Sequence, residues 1–247
     1  EFLEGAVVED DVGGNPEFFR LVEPPRPEPV DEIAGVRQEI EAGVLQFLQD
    51  RCAELPSHTA QSPRAVGDHI QTLLSDSFDD LLGKRCAEYS AKFARRAMAD
   101  LAFRDDDDFY YVVDVKTHRT DTAFNMPNLT SVDRLARFYE DDNNYFVLLL
   151  IKYTMSPTGL SILEARFLPI EFLAWDCLTV GALGWGQIQI ANANQIRIVP
   201  RPSRKRWMLD MCDVLMEFYP REIAKIENRL ERFRKLRKVW LEKSDDA

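Results

Sequence analysis

The sequence predicts an α/β chain, on three observations. Apolar residues recur at helical spacing between residues 31 and 98. Two strand-type runs then flank four aspartates, Asp105–Asp108, which is the pattern of a β-hairpin. Further on, Tyr145–Tyr153 is apolar almost throughout, as expected of a buried central strand.

In chain order, residues 1–30 hold Pro16, Pro24, Pro25, Pro27 and Pro29 among acidic residues and read as an irregular arm. Residues 31–247 read as one domain, a length that suits a single core. A helix is expected over Asp31–Ala53, with Ile33, Val36, Ile40, Val44 and Phe47 on one stripe. After a loop at 55–64, a second helix covers Ala65–Leu82 and a third Lys84–Met98. The hairpin follows. The segment after Lys116 is polar, turn-rich and broken by Pro127, so it is a loop. Ser131 and Asp133 open a helix over Val132–Tyr139. Strands are expected at Tyr145–Tyr153 and Ser161–Leu168, then a short element at Ile170–Cys177. Thr179–Gly186 is glycine-rich and reads as a loop. Gln187–Val199 alternates and forms one bent strand, or two with a turn at Asn192–Asn194. Ser203 is a suitable N-cap, and helices over 204–219 and 221–242 end the chain.

The hairpin carries the chemistry. Period-2 geometry sets Asp114 and Lys116 on one face of the second strand and turns Val115 away. A turn centred near Asp107 brings Asp100 opposite Asp114. Two carboxylates and an ammonium then converge on one edge. Mg²⁺ suits that donor set, because it takes one or two carboxylates, keeps several waters and shares phosphate oxygens. Asp100, Asp114 and the Val115 carbonyl are the candidate ligands. Lys116 is the candidate to orient or deprotonate an attacking water and to offset phosphate charge. The implied reaction is metal-assisted phosphodiester hydrolysis. A solvated cross-face ion pair is the structural alternative for Asp114 and Lys116. Asp105–Asp108 reads as a solvated turn, since four like charges are costly to bury.

Composition frames this reading. The net charge is −11, but it is unevenly spread. Residues 1–50 carry 13 acidic and 3 basic side chains, and residues 197–243 carry 14 basic and 7 acidic ones. A basic C-terminal third can hold phosphates in an acidic protein. Cys52, Cys86, Cys177 and Cys212 are widely spaced with no C-x-x-C, which argues against a zinc site and fits reduced thiols in a cytoplasmic protein. No secretory leader pattern is visible, and no apolar run is long enough to span a membrane.

The order of helices, then a hairpin bearing Asp100 and Asp114-Val115-Lys116-Thr117, then a polar loop ending Met126-Pro127-Asn128, resembles type II restriction endonucleases of the PD-(D/E)XK superfamily, in the EcoRV-like branch. Gln187-Ile188-Gln189 and the helix holding Trp207 add to the likeness, which covers residues 62–240. The resemblance implies a mixed β-sheet core flanked by helices, Mg²⁺ dependence, double-stranded DNA as substrate and a homodimer on a palindromic site. It makes Asp100 and Asp114 the metal-binding carboxylates and Lys116 the catalytic lysine. It makes Asn128 a base-contacting residue and sets Asn125 against the DNA. Gly67-Asp68 resembles a Gly-acid pair that opens an early helix, where the family carries a glutamate, so Asp68 joins the catalytic candidates. The loop at 179–186 falls where the family reads base edges.

Further DNA-contact candidates come from the residues themselves. His118 and Arg119 follow the hairpin strand in a loop suited to DNA, with exposure alone as the plainer reading of His118. Gln187 and Gln189 share a strand face and are able to hydrogen-bond bases or to finish the sheet. Arg204 and Lys205, beside Arg201 and Arg206, form a phosphate clamp at a helix N-terminus or a solvated helix face. Lys225–Lys238 reads as an exposed helix or one packed in a dimer. Two other functions stay open at this point: a structure-selective repair nuclease of the same superfamily, and a non-catalytic DNA-binding protein on a degenerate nuclease fold.

Overall fold

The computed structural model describes residues 30–51, 62–89, 99–122, 125–156, 159–181, 186–199 and 203–244, with side chains from residue 35 onward. Residues 1–29, where the arm is expected, and residues 52–61, which include most of the loop expected at 55–64, lie outside these residues. Helix α1 runs Val30–Arg51 and α2 runs Pro63–Leu82. In α2 every fourth residue is apolar and buried: Val66, Ile70, Leu74, Phe78 and Leu82. Ser62 caps its N-terminus, with the hydroxyl accepting from the Ala65 N–H. Gly83, at φ +58°, ends it.

The chain does not resume as the helix expected from Lys84. Gly83–Arg85 makes one 3₁₀ turn, and strand β1, Glu88–Tyr89, pairs with the hairpin. Residues 90–98, the rest of that expected helix, are not among those described. Strands β2, Leu101–Arg104, and β3, Tyr110–Arg119, form the expected antiparallel hairpin. Its turn is held by Asp105, whose Oδ1 accepts the N–H groups of Asp107 and Phe109. Asp108 adopts φ +64° there and pairs with Arg104. The aspartate block is therefore turn chemistry, as expected.

Beyond the hairpin come β4, Asn128–Ser131, and α3, Val132–Phe138, capped by the Ser131 hydroxyl. Then follow β5, Asn144–Ser156, and β6, Gly159–Pro169. β5 runs parallel to β3 and antiparallel to β6, giving a mixed five-stranded sheet in the order β1-β2-β3-β5-β6. β5 is buried, as its sequence predicts, and lies inside the sheet between β3 and β6, with β3 at the centre. Ile170–Cys177 folds as two 3₁₀ turns. The expected loop at 179–186 is in part a strand. β7, Leu178–Gly181, pairs with β8, Gln187–Ile190, which pairs with β4 to make a second, three-stranded sheet. Residues 182–185 lie outside the described residues. After β8 the chain turns at Asn192–Gln195 and touches the sheet again through a bridge from Ile198 to Leu173.

The two helices expected at the end are one, α4, Arg204–Leu241, which continues through Pro220. Proline removes one N–H and crowds the preceding turn. Here it falls on an exposed stretch just after Phe218, the last buried residue of the helix, where water can satisfy the freed carbonyl.

Strand alternation divides the interior in two. Odd-numbered β3 residues Val113 and Val115, with Val147, Leu149 and Ile151 of β5, pack under α1 and α2. Even-numbered Val112, with Phe146, Leu148 and Leu150, packs under the small sheet and the start of α4. Trp207 anchors that start: its indole N–H donates to the Leu173 carbonyl, and its own carbonyl accepts from the Trp175 indole. Among the described residues no helix is long and apolar enough to cross a membrane.

Phe78 sits at the centre of the first core, with its ring centroid 6.3 Å from Phe103 and 6.2 Å from Phe167. Phe78→Ala is expected to cost about 3–5 kcal/mol, read as a lower urea midpoint with an unchanged slope.

Candidate active site

The hairpin register runs Leu101 opposite Val113 and Ala102 opposite Val112. Continued by one residue, it sets Asp100 opposite Asp114, as the sequence predicts. The Asp100 N–H still donates to the Val113 carbonyl, at 3.0 Å. Past that bond β2 has not begun, and β3 has a bare edge. The Asp100 carboxylate fills it, with Oδ2 accepting the Val115 N–H at 2.7 Å. A strand residue directs its N–H and C=O to the same edge, so the Val115 carbonyl shares this edge with Asp100.

Asp114 projects from the opposite side of Val115, into the space between the two sheets, and is only 4% exposed. Its Oδ1 accepts from the Lys116 ammonium at 2.7 Å. Its Oδ2 is buried with no hydrogen-bond partner among the described residues. Buried polar atoms are normally satisfied, so this oxygen stands out. Burial pushes the Asp114 carboxyl up to about 7; the nearby Asp100 adds to the rise, and Lys116 opposes it. Burial also raises Asp100, against the pull of the Val115 N–H and of Lys116.

A residue the sequence reading missed completes this cluster. Gln71 of α2 donates its side-chain amide to Asp100 Oδ1. Gly67, Gln71 and Ser75 lie four apart on one flank of α2 and face the hairpin. A Cβ at Gly67 would sit 3.0 Å from Thr117 Oγ1, and the Ser75 carbonyl accepts from the Tyr89 hydroxyl. This polar, small-residue flank beside the apolar stripe was the available signal. Asp68 lies off that flank. Its side chain is exposed and pairs at 4.0 Å with Arg64, not with the cluster. Of the Gly-Asp pair, the glycine approaches the strand and the acid faces outward.

Lys116 also lines a narrow, almost wholly apolar cavity between the sheets, with His118, Asn125, Pro127, Ile190 and Ile196. His118 was expected in a loop near DNA or exposed. Instead it lies within β3, buried, on the Asp114 face. Its Nε2 bonds Asn194 Oδ1 at 2.7 Å, and its Nδ1 lies 3.5 Å from the Asn125 amide. It ties two loops together and is closed to a phosphate. Arg119 also belongs to β3, one residue on and so on the other face, where Asp121 holds it at 2.6 Å.

Asn128 and Gln189 are paired across β4 and β8, and their amides bond at 2.6 Å. Gln187 shares that outward face, while Ile188 and Ile190 point into the core. A Cβ at Gly181 would come within 2.7 Å of Gln189 Oε1, so glycine leaves the room this amide occupies. Arg204 is not a phosphate clamp. It binds buried Glu171 at 2.7 Å, donates to the Asp142 carbonyl and lies over Tyr139 and Tyr145 at 4.4 and 4.3 Å. Lys205, its neighbour, is exposed. Arg201 and Trp185 lie outside the described residues.

No group of three or more His, Cys, Asp and Glu side chains is gathered for a metal among the described residues. A cation here would have two carboxylates and a strand carbonyl, with water or substrate completing its shell. Mg²⁺ accepts that arrangement, and the unpartnered Asp114 Oδ2 fits it. Fold and site together define a mixed α/β chain with a buried carboxylate–lysine pair at a strand edge. Compared with models of known families and with curated proteins, the chain matches none.

The raised Asp114 makes a stability test. The folded chain keeps this proton up to about pH 7, while an ordinary aspartate releases it near 3.8. Between those values the folded state binds more protons, so this group lowers stability as pH rises. Asp114→Asn is expected to raise the unfolding temperature at pH 8 by the equivalent of about 2–4 kcal/mol, with the gain vanishing near pH 4. Mg²⁺ at pH 8 is expected to stabilise the wild type and not the variant. Lower stability of Asp114→Asn at pH 8 would mean that this carboxylate is already satisfied.

Proposed function

We propose that this protein is a Mg²⁺-dependent endonuclease of double-stranded DNA, of the type II restriction kind on a PD-(D/E)XK fold, working as a homodimer on a palindromic site. The observation that carries the reading is the buried Asp114 oxygen, without a partner among the described residues, beside the Lys116 ammonium and near the Asp100 carboxylate. A cation bound there would supply Lewis-acid activation of water and neutralise phosphate charge.

The chain's own residues then divide the remaining work. Asp114 offers its free oxygen and Asp100 a second carboxylate, with the Val115 carbonyl beside them. Gln71 and the Val115 N–H fix the Asp100 rotamer, so little reorganisation is needed when substrate arrives. Lys116 lies where it can orient the attacking water and meet charge on the phosphate. Asp114 holds its ammonium at 2.7 Å. Asn128, Gln187 and Gln189 carry the amides available to base edges on the small sheet. Lys205 remains a phosphate contact in this reading.

Digestion of a long DNA of known sequence with Mg²⁺, followed by sequencing of the fragment ends, tests it. Discrete fragments with one shared end sequence are expected. Lys116→Ala and Asp114→Asn should each lower cutting by at least about 100-fold. Structure-selective nicking would indicate the repair class instead. DNA retention without cutting in any divalent cation would indicate a binding protein.

A further inference from the structure

The second half of α4 extends beyond the last buried residue of the helix, Phe218. From Ile223 to Trp240 it carries large apolar side chains in water: Ile223 is 55% exposed, Phe233 62% and Trp240 59%, with Ile226 and Leu230 also exposed. Ile223, Ile226, Leu230, Phe233, Arg237 and Trp240 follow one another by alternating steps of three and four. That is the spacing of a two-stranded coiled-coil seam. An apolar stripe about 26 Å long, left exposed by the described residues, is not a stable surface for a lone chain.

The charges beside the seam select the occupant. Glu222, Glu227, Arg229 and Arg234 flank it, with Leu236 and Lys243. In a parallel, in-register pair, Glu222 would face Glu227 of a second copy and Arg229 would face Arg234, so both contacts repel. Turned antiparallel about an axis level with Glu231 and Arg232, two copies overlap along the whole seam. Ile223 then meets Trp240, Leu230 meets Phe233, and Ile226 meets the stem of Arg237. The same register faces Glu227 with Arg234 and Glu222 with Lys243, each twice by symmetry.

We propose that the projecting half of α4 is the interface between two copies of this chain, joined as an antiparallel coiled coil centred between Glu231 and Arg232. The inference stands on α4 alone and is independent of the chemistry at Asp114.

Sedimentation equilibrium of the full chain tests it. The wild type is expected at twice the 28.5 kDa chain mass. Leu230→Glu with Phe233→Glu should give a monomer, since both positions are exposed in the single chain and the fold does not need them. Glu227→Arg should weaken association about tenfold, and adding Arg234→Glu should restore it. A wild-type monomer would overturn the proposal. So would a dimer that survives the seam variant, which would place the interface elsewhere and leave the nuclease reading intact. A Glu227→Arg dimer tighter than wild type would overturn the antiparallel register.

Discussion

A carboxylate held between two sheets with one oxygen unanswered is the constraint from which the rest of this structure follows. Moving an ionised carboxylate out of water costs roughly several kcal/mol, even after relaxation. Lys116 recovers part of that through Asp114 Oδ1. Asp100, on the neighbouring edge, makes the cost larger by adding like charge. Packing alone has no use for such a pair in the middle of β3, directly after the apolar run Tyr110–Val113. An apolar residue at position 114 would continue the row of Val112 and Leu148. The strain is local, and a cation bound beside Asp114 would relieve it.

The surrounding architecture is what keeps this geometry. Parallel pairing with β5 fixes β3 along its whole length, from Tyr110 opposite Asn144 to Arg119 opposite Tyr153. Odd residues bind β3 to α1 and α2, which leaves even residues to face the small sheet. β2 begins one residue late, at Leu101, and that late start is what frees the Val115 edge for Asp100. α2 then reaches the cluster through Gln71, and the close approach at Gly67 lets the helix lie near Thr117. The cavity beyond Lys116 exists because His118 ties Asn125 and Asn194 back, keeping two loops at its rim.

The hairpin was legible from sequence because its signals are local. Asp105–Asp108 can only be a turn, strand alternation is fixed at two, and together they determine that Asp100 faces Asp114. Tyr145–Tyr153 was legible for a similar reason, since an apolar run of that length without breaks belongs inside a sheet. What escaped depends on tertiary partners. Arg204 reads as a surface cation until Glu171, Tyr139 and Tyr145 enclose it. His118 reads as part of a loop until β5 is known to extend past Lys152 and carry β3 with it. Lys84–Met98 has helical composition, but the free edge of β2 captures Glu88 and Tyr89. Pro220 reads as a helix end, yet on an exposed stretch one missing N–H is tolerable. Gln71 was hidden because its partner lies across the fold.

Titration calorimetry of Mg²⁺ at pH 6.5, repeated in two buffers of different ionisation enthalpy, tests the central claim most directly. With Asp114 protonated up to about pH 7, binding at this site must release a proton, so the observed heat should differ between the buffers. Asp114→Asn should abolish both the binding and the difference. Binding with the same heat in both buffers, or binding that survives Asp114→Asn, would contradict the account.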